Sequence, residues 1–147
     1  MITLRPATNR DAQFVDDLTF KTMRPFVQAT WPNDAAAQQH YFAMNSFNVS
    51  NTRIIQVDGQ DAGRLSTTVR SDCLFIDEIH ILPEYQRQGI GKQTIDRVLD
   101  EARQRGLPVE ATVLKVNNPS LRMFLGIGFQ IRQEKDHRFH IQYTATR

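Results

Sequence analysis

Three ionisable side chains interrupt the apolar run "CLFIDEIHIL" at residues 73–82. They are Asp77, Glu78 and His80, and a run of this composition is otherwise typical of a buried strand. Ionisable groups are costly to bury unless they face a cleft, water or a partner, so these three are candidates for acid–base chemistry, and ion pairing or a structural role for the histidine is the alternative. Strand alternation sends Asp77 and Glu78 to opposite faces, and we therefore expect at most one carboxylate to face a reacting group.

A glycine turn follows in the sequence "EYQRQGIGKQ", residues 84–93. It places Gly89 and Gly91 where the strand passes into a helical pattern. The first N–H groups of a helix have no intrahelical partner and lie at the positive end of its dipole, so together with bare glycine backbone they favour an anion such as phosphate. The turn is neither a P-loop nor a dinucleotide fingerprint, because the glycines that those motifs require would fall at Gln86 and Thr94.

The elements that must position these residues follow from hydrophobic periodicity and turn signals. In the first half of the chain we predict a strand at 2–7, a helix at 9–23 capped by Asn9 or Asp11, and a helix at 31–47 capped by Asn33 or Asp34. Hairpin strands "TRIIQV" and "GRLSTTV", joined by "DGQDA", and a strand at 73–82 follow. In the second half we predict a helix from Gly89 to a stop at Gly106, a strand at 109–116, a helix from about Pro119, and closing strands "FQIRQEK" and "RFHIQYTA". An antiparallel half, a helical crossover and a short second unit predict an α+β or mixed α/β fold, and we expect one domain over residues 1–147.

Composition excludes several classes of protein. The 147 residues carry a formal net charge of +2, far from the clustered basic faces of nucleic-acid-binding proteins, and no apolar run approaches the length of a membrane span. The start of the sequence lacks a signal-peptide core, so we expect a cytoplasmic protein. His and Cys do not cluster at metal-ligand spacing, and the single Cys73 is expected to be a small buried hydrophobe.

The strand, glycine turn, long helix and next strand, followed by "NNPSLRMFLGIGF", resemble the GNAT superfamily of acetyl-CoA-dependent N-acyltransferases. The pyrophosphate motif of that family, Gln/Arg-x-x-Gly-x-Gly/Ala, looks like Gln86, Gly89 and Gly91. A second family signature looks like Asn117, Ser120, Phe124 and Gly128-Phe129. The resemblance is strongest over residues 74–129, and it implies the GNAT fold, a central mixed and mostly antiparallel sheet flanked by helices.

The resemblance also implies a cosubstrate, acetyl-CoA, and the residues that hold it. The backbone of Ile79 and Ile81 would bind the pantetheine and the acetyl carbonyl, and the N–H of Ile81 would stabilise the oxyanion. Asn117 would orient the pantetheine amides, and Phe124 would pack against the cofactor arm. The pyrophosphate would lie on the segment Gln86, Arg87, Gln88, Gly89, Ile90, Gly91 and Lys92.

The implied reaction is direct attack of a neutral amine on the acetyl thioester. We favour Glu78 as the general base over Asp77, with His80 or a water-relayed base as further alternatives. Phe124 departs from the family, because many members carry there a Tyr that protonates the leaving thiolate; Tyr143 and Tyr85 are the next tyrosines to consider. This departure keeps open a rival function, a non-catalytic acyl-CoA-binding sensor, and a third, a nucleotide-binding module.

The acceptor amine would come from a small molecule or a peptide, and no motif identifies it. The segment "MRPFVQATWPND" combines aromatic and basic residues, and we expect Trp31 and Phe26 to line an acceptor pocket. We expect no nucleic-acid partner, no membrane and no metal, and a homodimer is left open.

Overall fold

The computed structural model describes residues 1–144, which form seven strands and four α-helices. Along the chain these are β1 (Ile2–Pro6), α1 (Ala12–Thr30), α2 (Ala35–Met44), β2 (Thr52–Val57), β3 (Gln60–Val69), β4 (Leu74–Ile81), α3 (Ile90–Arg105), β5 (Val109–Leu114), α4 (Asn118–Ile127), β6 (Gln130–Lys135) and β7 (Arg138–Tyr143). Short 3-10 helices precede α1, β2 and the glycine turn.

The strands form one sheet in the order β1-β2-β3-β4-β5-β7-β6. Strands β4 and β5 run parallel, and the other neighbouring pairs of the described sheet run antiparallel. A parallel pair needs a crossover, which here contains α3. The prediction of a mixed, mostly antiparallel sheet flanked by helices is therefore confirmed.

Helices cover both faces of the sheet, so consecutive strand residues contribute to different cores. Ile55 and Val113 belong to the large core under α3 and α4, whereas Leu114 packs with α1 and α2 residues and Ile54 packs with Val15 of α1. This two-sided burial explains why the central strands are apolar without alternation. It also makes the buried polar residues of the same strands informative about function.

Three predicted boundaries were wrong. Strand β3 begins at Gln60 and so includes the last three residues of the predicted connection. Helix α1 continues through Pro25 to Thr30, although proline removes a helical hydrogen bond, because Met23 and Val27 on either side of it bury their side chains. Helix α2 is shorter than predicted, and the carboxylate of Asp34 caps it by accepting from the N–H of Ala37. The predicted end of the last strand, Ala145, lies outside the described residues.

A buried carboxylate joins β1 to the start of α1. Asp11 accepts two hydrogen bonds from the guanidinium of Arg5, at 2.9 and 3.0 Å, and one from the N–H of Thr8 at 2.8 Å. The bond from Arg5, together with the charge of that residue and the bonds from Thr8, holds the pKa of Asp11 below its usual value, although burial opposes this. The cluster therefore stabilises the fold only while the carboxylate is ionised.

We expect Asp11→Ala to lower the free energy of unfolding at pH 7 by about 2–3 kcal/mol, the usual worth of hydrogen bonds to a charged group. Because the folded pKa is depressed, this contribution is present above the unfolded pKa and is lost as the pH falls through the folded value. Urea unfolding at pH 7 and at pH 3 measures the difference. Asp61→Ala, which removes a more exposed partner of Arg5 at 3.2 Å, is the control and should cost less than about 1 kcal/mol.

Candidate active site

The parallel strands β4 and β5 separate towards their C-terminal ends. They pair from Leu74↔Val109 to Ile76↔Ala111, after which β4 continues beside β3 and β5 continues beside β7. Beyond these positions the two facing edges pair with no other strand within residues 1–144, and a cavity lies between them. An extended ligand can bind such an edge as an added strand.

The N–H groups of Ile79 and Ile81 point into this gap. The N–H of Leu82 donates to the carbonyl of Ala62 on β3 at 2.8 Å, and successive residues of a strand alternate between its two edges. The carbonyl of Ile81 accepts a hydrogen bond from the side chain of Gln86 at 2.9 Å. This bond ties the glycine turn to the end of β4 and leaves the N–H of Ile81 available to a ligand.

A β-bulge at Asp77 overturns the expectation that Asp77 and Glu78 face opposite sides of the sheet. In the register with β3, Glu78 lies opposite Ser66 and Ile76 lies opposite Thr67, so Asp77 is the extra residue. The bulge brings both carboxylates to the α1 and α2 face, where both line the cavity. A bulge re-aims side chains in this way, and the composition of the strand alone does not reveal it.

Glu78 and His80 form a hydrogen-bonded pair on the floor of the cavity. Nε2 of His80 lies 2.8 Å from Oε1 of Glu78, and the two residues are 9% and 7% exposed. The carboxylate of Asp77 accepts instead from the hydroxyl of Thr68 at 2.6 Å, and burial raises its pKa. Glu78 is thus oriented by a histidine, whereas Asp77 is tied to the neighbouring strand.

Arg64 of β3 lies beside this pair and is 2% exposed. It lies directly opposite His80 in the strand register. Its guanidinium donates to side-chain and main-chain oxygens at 2.9–3.1 Å, namely the hydroxyls of Ser66 and Thr19 and the carbonyls of Asn45 and Ser46. A single buried side chain therefore connects β3 to α1 and to the end of α2, behind the two acidic residues.

The glycine turn delivers free N–H groups to the start of α3. Gly89 is the N-cap residue with φ +77°, and Arg87 also has a positive φ, +64°. The side chain of Ile90 is buried in the large core and anchors the helix start, while Arg87, Gln88 and Gly89 are exposed. Lys92 pairs with Asp96 at 3.1 Å, so its charge is shared on the surface. The turn has the form expected of an anion site.

The two glycines are needed for different reasons. Gly89 occupies a left-handed conformation that costs other residues energy. A Cβ at Gly91 would lie 2.9 Å from the sulfur of Met123 in α4, so this glycine permits close packing of α3 on α4. From the sequence we expected both glycines to allow the close approach of a phosphate. Packing of α3 against α4 is a further reason for a glycine at position 91.

Asn117 and Phe124 bring α4 to the other side of the cavity. The side chain of Asn117 caps α4 by accepting from the N–H of Ser120 at 3.3 Å. Phe124 is buried and packs edge-on against Phe129, with ring centroids 5.0 Å apart. Asn117, Ser120 and Phe124 line the cavity, whereas Phe129 does not. Tyr143 and Tyr85 pack against the large core and do not line it.

The predicted acceptor residues lie around the cavity rather than in it. Phe26 packs in the core between α1 and α2, and Trp31 packs against Tyr41 and lies beneath the guanidinium of Arg138. Tyr41 and Arg138 themselves line the cavity, although no motif in the sequence marks either residue. These contacts join α2 and β7 through a loop, and no local spacing encodes them.

Two further observations concern metal ions and membranes. Within residues 1–144 no three His, Cys, Asp or Glu side chains are grouped as they would be around a metal ion. None of the helices there has both the length and the apolar character to cross a membrane.

Comparison with known proteins identifies the arrangement. Residues 16–129 match the model of the Acetyltransferase (GNAT) family. Among solved structures, the PaiA N-acetyltransferase of Thermoplasma acidophilum, in complex with coenzyme A, superposes with a TM-score of 0.80 at 11% identity, covering 99% of both chains.

Two further structures share the fold. A GNAT-family acetyltransferase of Listeria monocytogenes gives a TM-score of 0.68 at 15% identity, over 97% of this chain and 94% of that one. Naa50 of Arabidopsis thaliana, in complex with the bisubstrate analogue CoA-Ac-MVNAL, gives 0.68 at 13% identity, over 98% and 99%. At these sequence identities the structural similarity shows only that the fold is shared. The match to the family model shows the family to which the chain belongs.

Proposed function

Because this chain belongs to the GNAT family of acetyltransferases, which use acetyl-CoA, we propose that it transfers the acetyl group to an amine of a small molecule or peptide by direct attack. The observation that carries the proposal is the gap between β4 and β5, with unpaired backbone on its edges and the Glu78–His80 pair on its floor. The gap can hold the extended pantetheine arm that carries the thioester, and the Glu78–His80 pair can accept a proton.

In this proposal the chain binds acetyl-CoA in three places. The free N–H groups at the start of α3, with Arg87 and Lys92 nearby, hold the pyrophosphate. The edge of β4 at Ile79 and Ile81 holds the pantetheine, and Asn117 and Phe124 border it from α4. These roles rest on the positions of the residues along one continuous path from the glycine turn to the cavity.

Glu78 is the general base of the proposed reaction. One of its oxygens is held by His80, and the other has no hydrogen-bond partner within residues 1–144, so it is free to accept the proton of the amine. A neutral amine nitrogen forms the bond to the carbonyl carbon, and Glu78 takes the proton that this nitrogen then loses. The N–H of Ile81 stabilises the oxyanion until the carbon–sulfur bond breaks and CoA leaves as the thiolate. Phe124 supplies no proton, but a thiolate with a pKa near 8.5 is a good leaving group.

The proposed transfer is tested by following release of the CoA thiol from acetyl-CoA with a panel of amines. We expect amine-dependent release with some member of the panel. Tight binding of acetyl-CoA without turnover of any amine would instead support the acyl-CoA sensor, for which the missing hydroxyl at Phe124 is the structural argument. Competition by ATP as strong as that by CoA would favour the nucleotide-binding module.

The binding site for CoA makes a separate prediction. At a hundredfold excess over Kd, CoA should stabilise the protein by about 2.7 kcal/mol, or roughly 5–10 °C in Tm. Gly89→Val should abolish that shift, because a β-branched residue at φ +77° distorts the turn that presents the N–H groups. Differential scanning fluorimetry with and without CoA measures it.

Gly106→Val is the matched control for this prediction. Gly106 lies at the opposite end of α3 with φ +68°. A Cβ there would meet nothing within 4 Å, and a Cβ at Gly89 would make only an ordinary contact with the side chain of Gln93 at 3.8 Å. The strain of the two substitutions is therefore similar, but only one is at the proposed anion site. Equal CoA shifts in the two variants would show that the glycine turn does not bind the cofactor.

A further inference from the structure

An arginine without an ionic partner lines the acceptor side of the cavity. Arg138 begins β7, and within residues 1–144 its guanidinium makes no ion pair and donates no hydrogen bond. It lies over the ring of Trp31, 5.9 Å from the centroid, and Trp31 also packs edge-on against His137 at 5.4 Å. The indole holds the guanidinium in place through its face, which leaves the N–H groups for another partner.

The hydroxyl of Tyr41 lies in the same cavity and also lacks a hydrogen-bond partner within the described residues. The Tyr41 ring is fixed between Trp31 and Phe42, at centroid distances of 5.9 and 5.4 Å. Burial and the charge of Glu78 raise the pKa of this hydroxyl, and the charge of Arg138 lowers it. The hydroxyl is therefore close enough to both charged groups to interact with each. It remains a protonated donor.

The cavity thus has two acidic groups on β4 and, on β7, a cation that has no ionic partner within residues 1–144. Glu78 is positioned to receive an amine, whereas Arg138 and Tyr41 present donors that no group in the described residues accepts from. Arg138 is partly exposed, and a carboxylate that enters the cavity fits its planar guanidinium with two parallel hydrogen bonds. A phosphate would bring about twice the negative charge next to the two acids and is less suited.

We propose that the acceptor is an amine that also carries a carboxylate, and that Arg138, with the hydroxyl of Tyr41, binds this carboxylate while the amine lies at Glu78. The inference rests on the proposed acetyl transfer and adds the substrate class. Arg138 and Tyr41 act as specificity-determining residues on the acceptor, and neither is among the residues proposed to hold the cofactor.

The experiment compares matched acceptors: alanine, β-alanine and 4-aminobutyrate, each with its carboxamide, together with phosphoethanolamine. In wild-type protein at least one acid should exceed its amide in kcat/KM by about 10–100-fold, the discrimination expected of charge-assisted hydrogen bonds. Arg138→Gln should remove that preference, chiefly through KM, and Tyr41→Phe should reduce it. Both variants should keep the CoA-dependent rise in Tm.

Arg132→Gln is the control, because Arg132 is an exposed arginine on the neighbouring strand β6. It should leave the preference unchanged. Isothermal titration of the same acids and amides into the CoA-loaded protein provides a readout that needs no turnover, and the acid should bind more tightly than its amide in an Arg138-dependent way.

Several outcomes would overturn the inference. Equal rates for acid and amide in wild type, or equal losses of both in Arg138→Gln, would show that no carboxylate is bound there. Faster turnover of phosphoethanolamine than of every acid would replace the carboxylate by a phosphate. Absence of turnover with all amines would count against the proposed transfer itself, and the carboxylate site would then stand or fall on the titration.

Discussion

Glu78→Gln should lower kcat about 10²–10⁴-fold, the usual contribution of a positioned general base. Glutamine has nearly the shape of glutamate, and its carbonyl can still accept a hydrogen bond from His80, which lies 2.8 Å from the native carboxylate. The substitution therefore removes the ability to accept a proton while keeping the packing. Steady-state kinetics with the best acceptor measures the loss, and the CoA-dependent Tm shift should be unchanged.

Asp77→Asn is the paired control for the base. Asp77 lines the same cavity but is bound to Thr68, so we expect a loss of less than about tenfold in kcat. A larger loss in Asp77→Asn than in Glu78→Gln would transfer the base to Asp77. Small losses in both variants would indicate a base that acts through water, one of the alternatives that the sequence left open.

His80→Gln separates orientation of the base from catalysis by the histidine. If His80 only orients Glu78, a glutamine that can still donate one hydrogen bond should retain part of the rate, and the pH dependence should keep its shape. Loss of the ascending limb of the pH–rate profile in His80→Gln alone would assign the base to the histidine. This variant tests the hydrogen-bonded pair directly.

Local patterns in the sequence were sufficient to predict the glycine turn, the helix that follows it and the hairpin between β2 and β3. The helix from the glycine turn to Gly106 was predicted because its apolar residues follow helical spacing and a left-handed glycine ends it. The hairpin turn at Asp58 and Gly59 was predicted because both residues tolerate the positive φ values, +50° and +84°, that a two-residue turn requires. These features depend on residues close together in the chain.

The side of the cavity that faces α1 and α2 could not be predicted, because it depends on pairing between distant segments. The bulge at Asp77 is fixed by the register of β4 on β3, and strand composition says nothing about an extra residue. No motif or spacing marks Arg138 in its strand, yet the loop that carries Trp31 packs against it beside the cavity. The extension of α1 through Pro25 brings that loop into place, against the local preference of proline.

Arg64 is the other residue at which a single substitution should have a large effect. We expect Arg64→Met to lower the free energy of unfolding by about 3–5 kcal/mol, because it leaves the buried Thr19 hydroxyl and the partly buried Asn45 and Ser46 carbonyls without their donor. Methionine fills much of the volume, so the loss measures hydrogen bonding more than a cavity. Urea unfolding at pH 7 gives the value.

Arg53→Met is the control for this prediction, since Arg53 also forms two hydrogen bonds, to Glu101, but both side chains are partly exposed. It should cost less than about 1 kcal/mol. Because Arg64 holds the end of α2 to the sheet, Arg64→Met should also raise KM for the acceptor more than it weakens CoA, whose proposed site lies on α3 and α4. A loss of stability no greater than that of Arg53→Met would show that water replaces the guanidinium at these oxygens. If KM for the acceptor and the affinity for CoA changed by equal factors, Arg64 would support the fold as a whole rather than the acceptor side of the cavity.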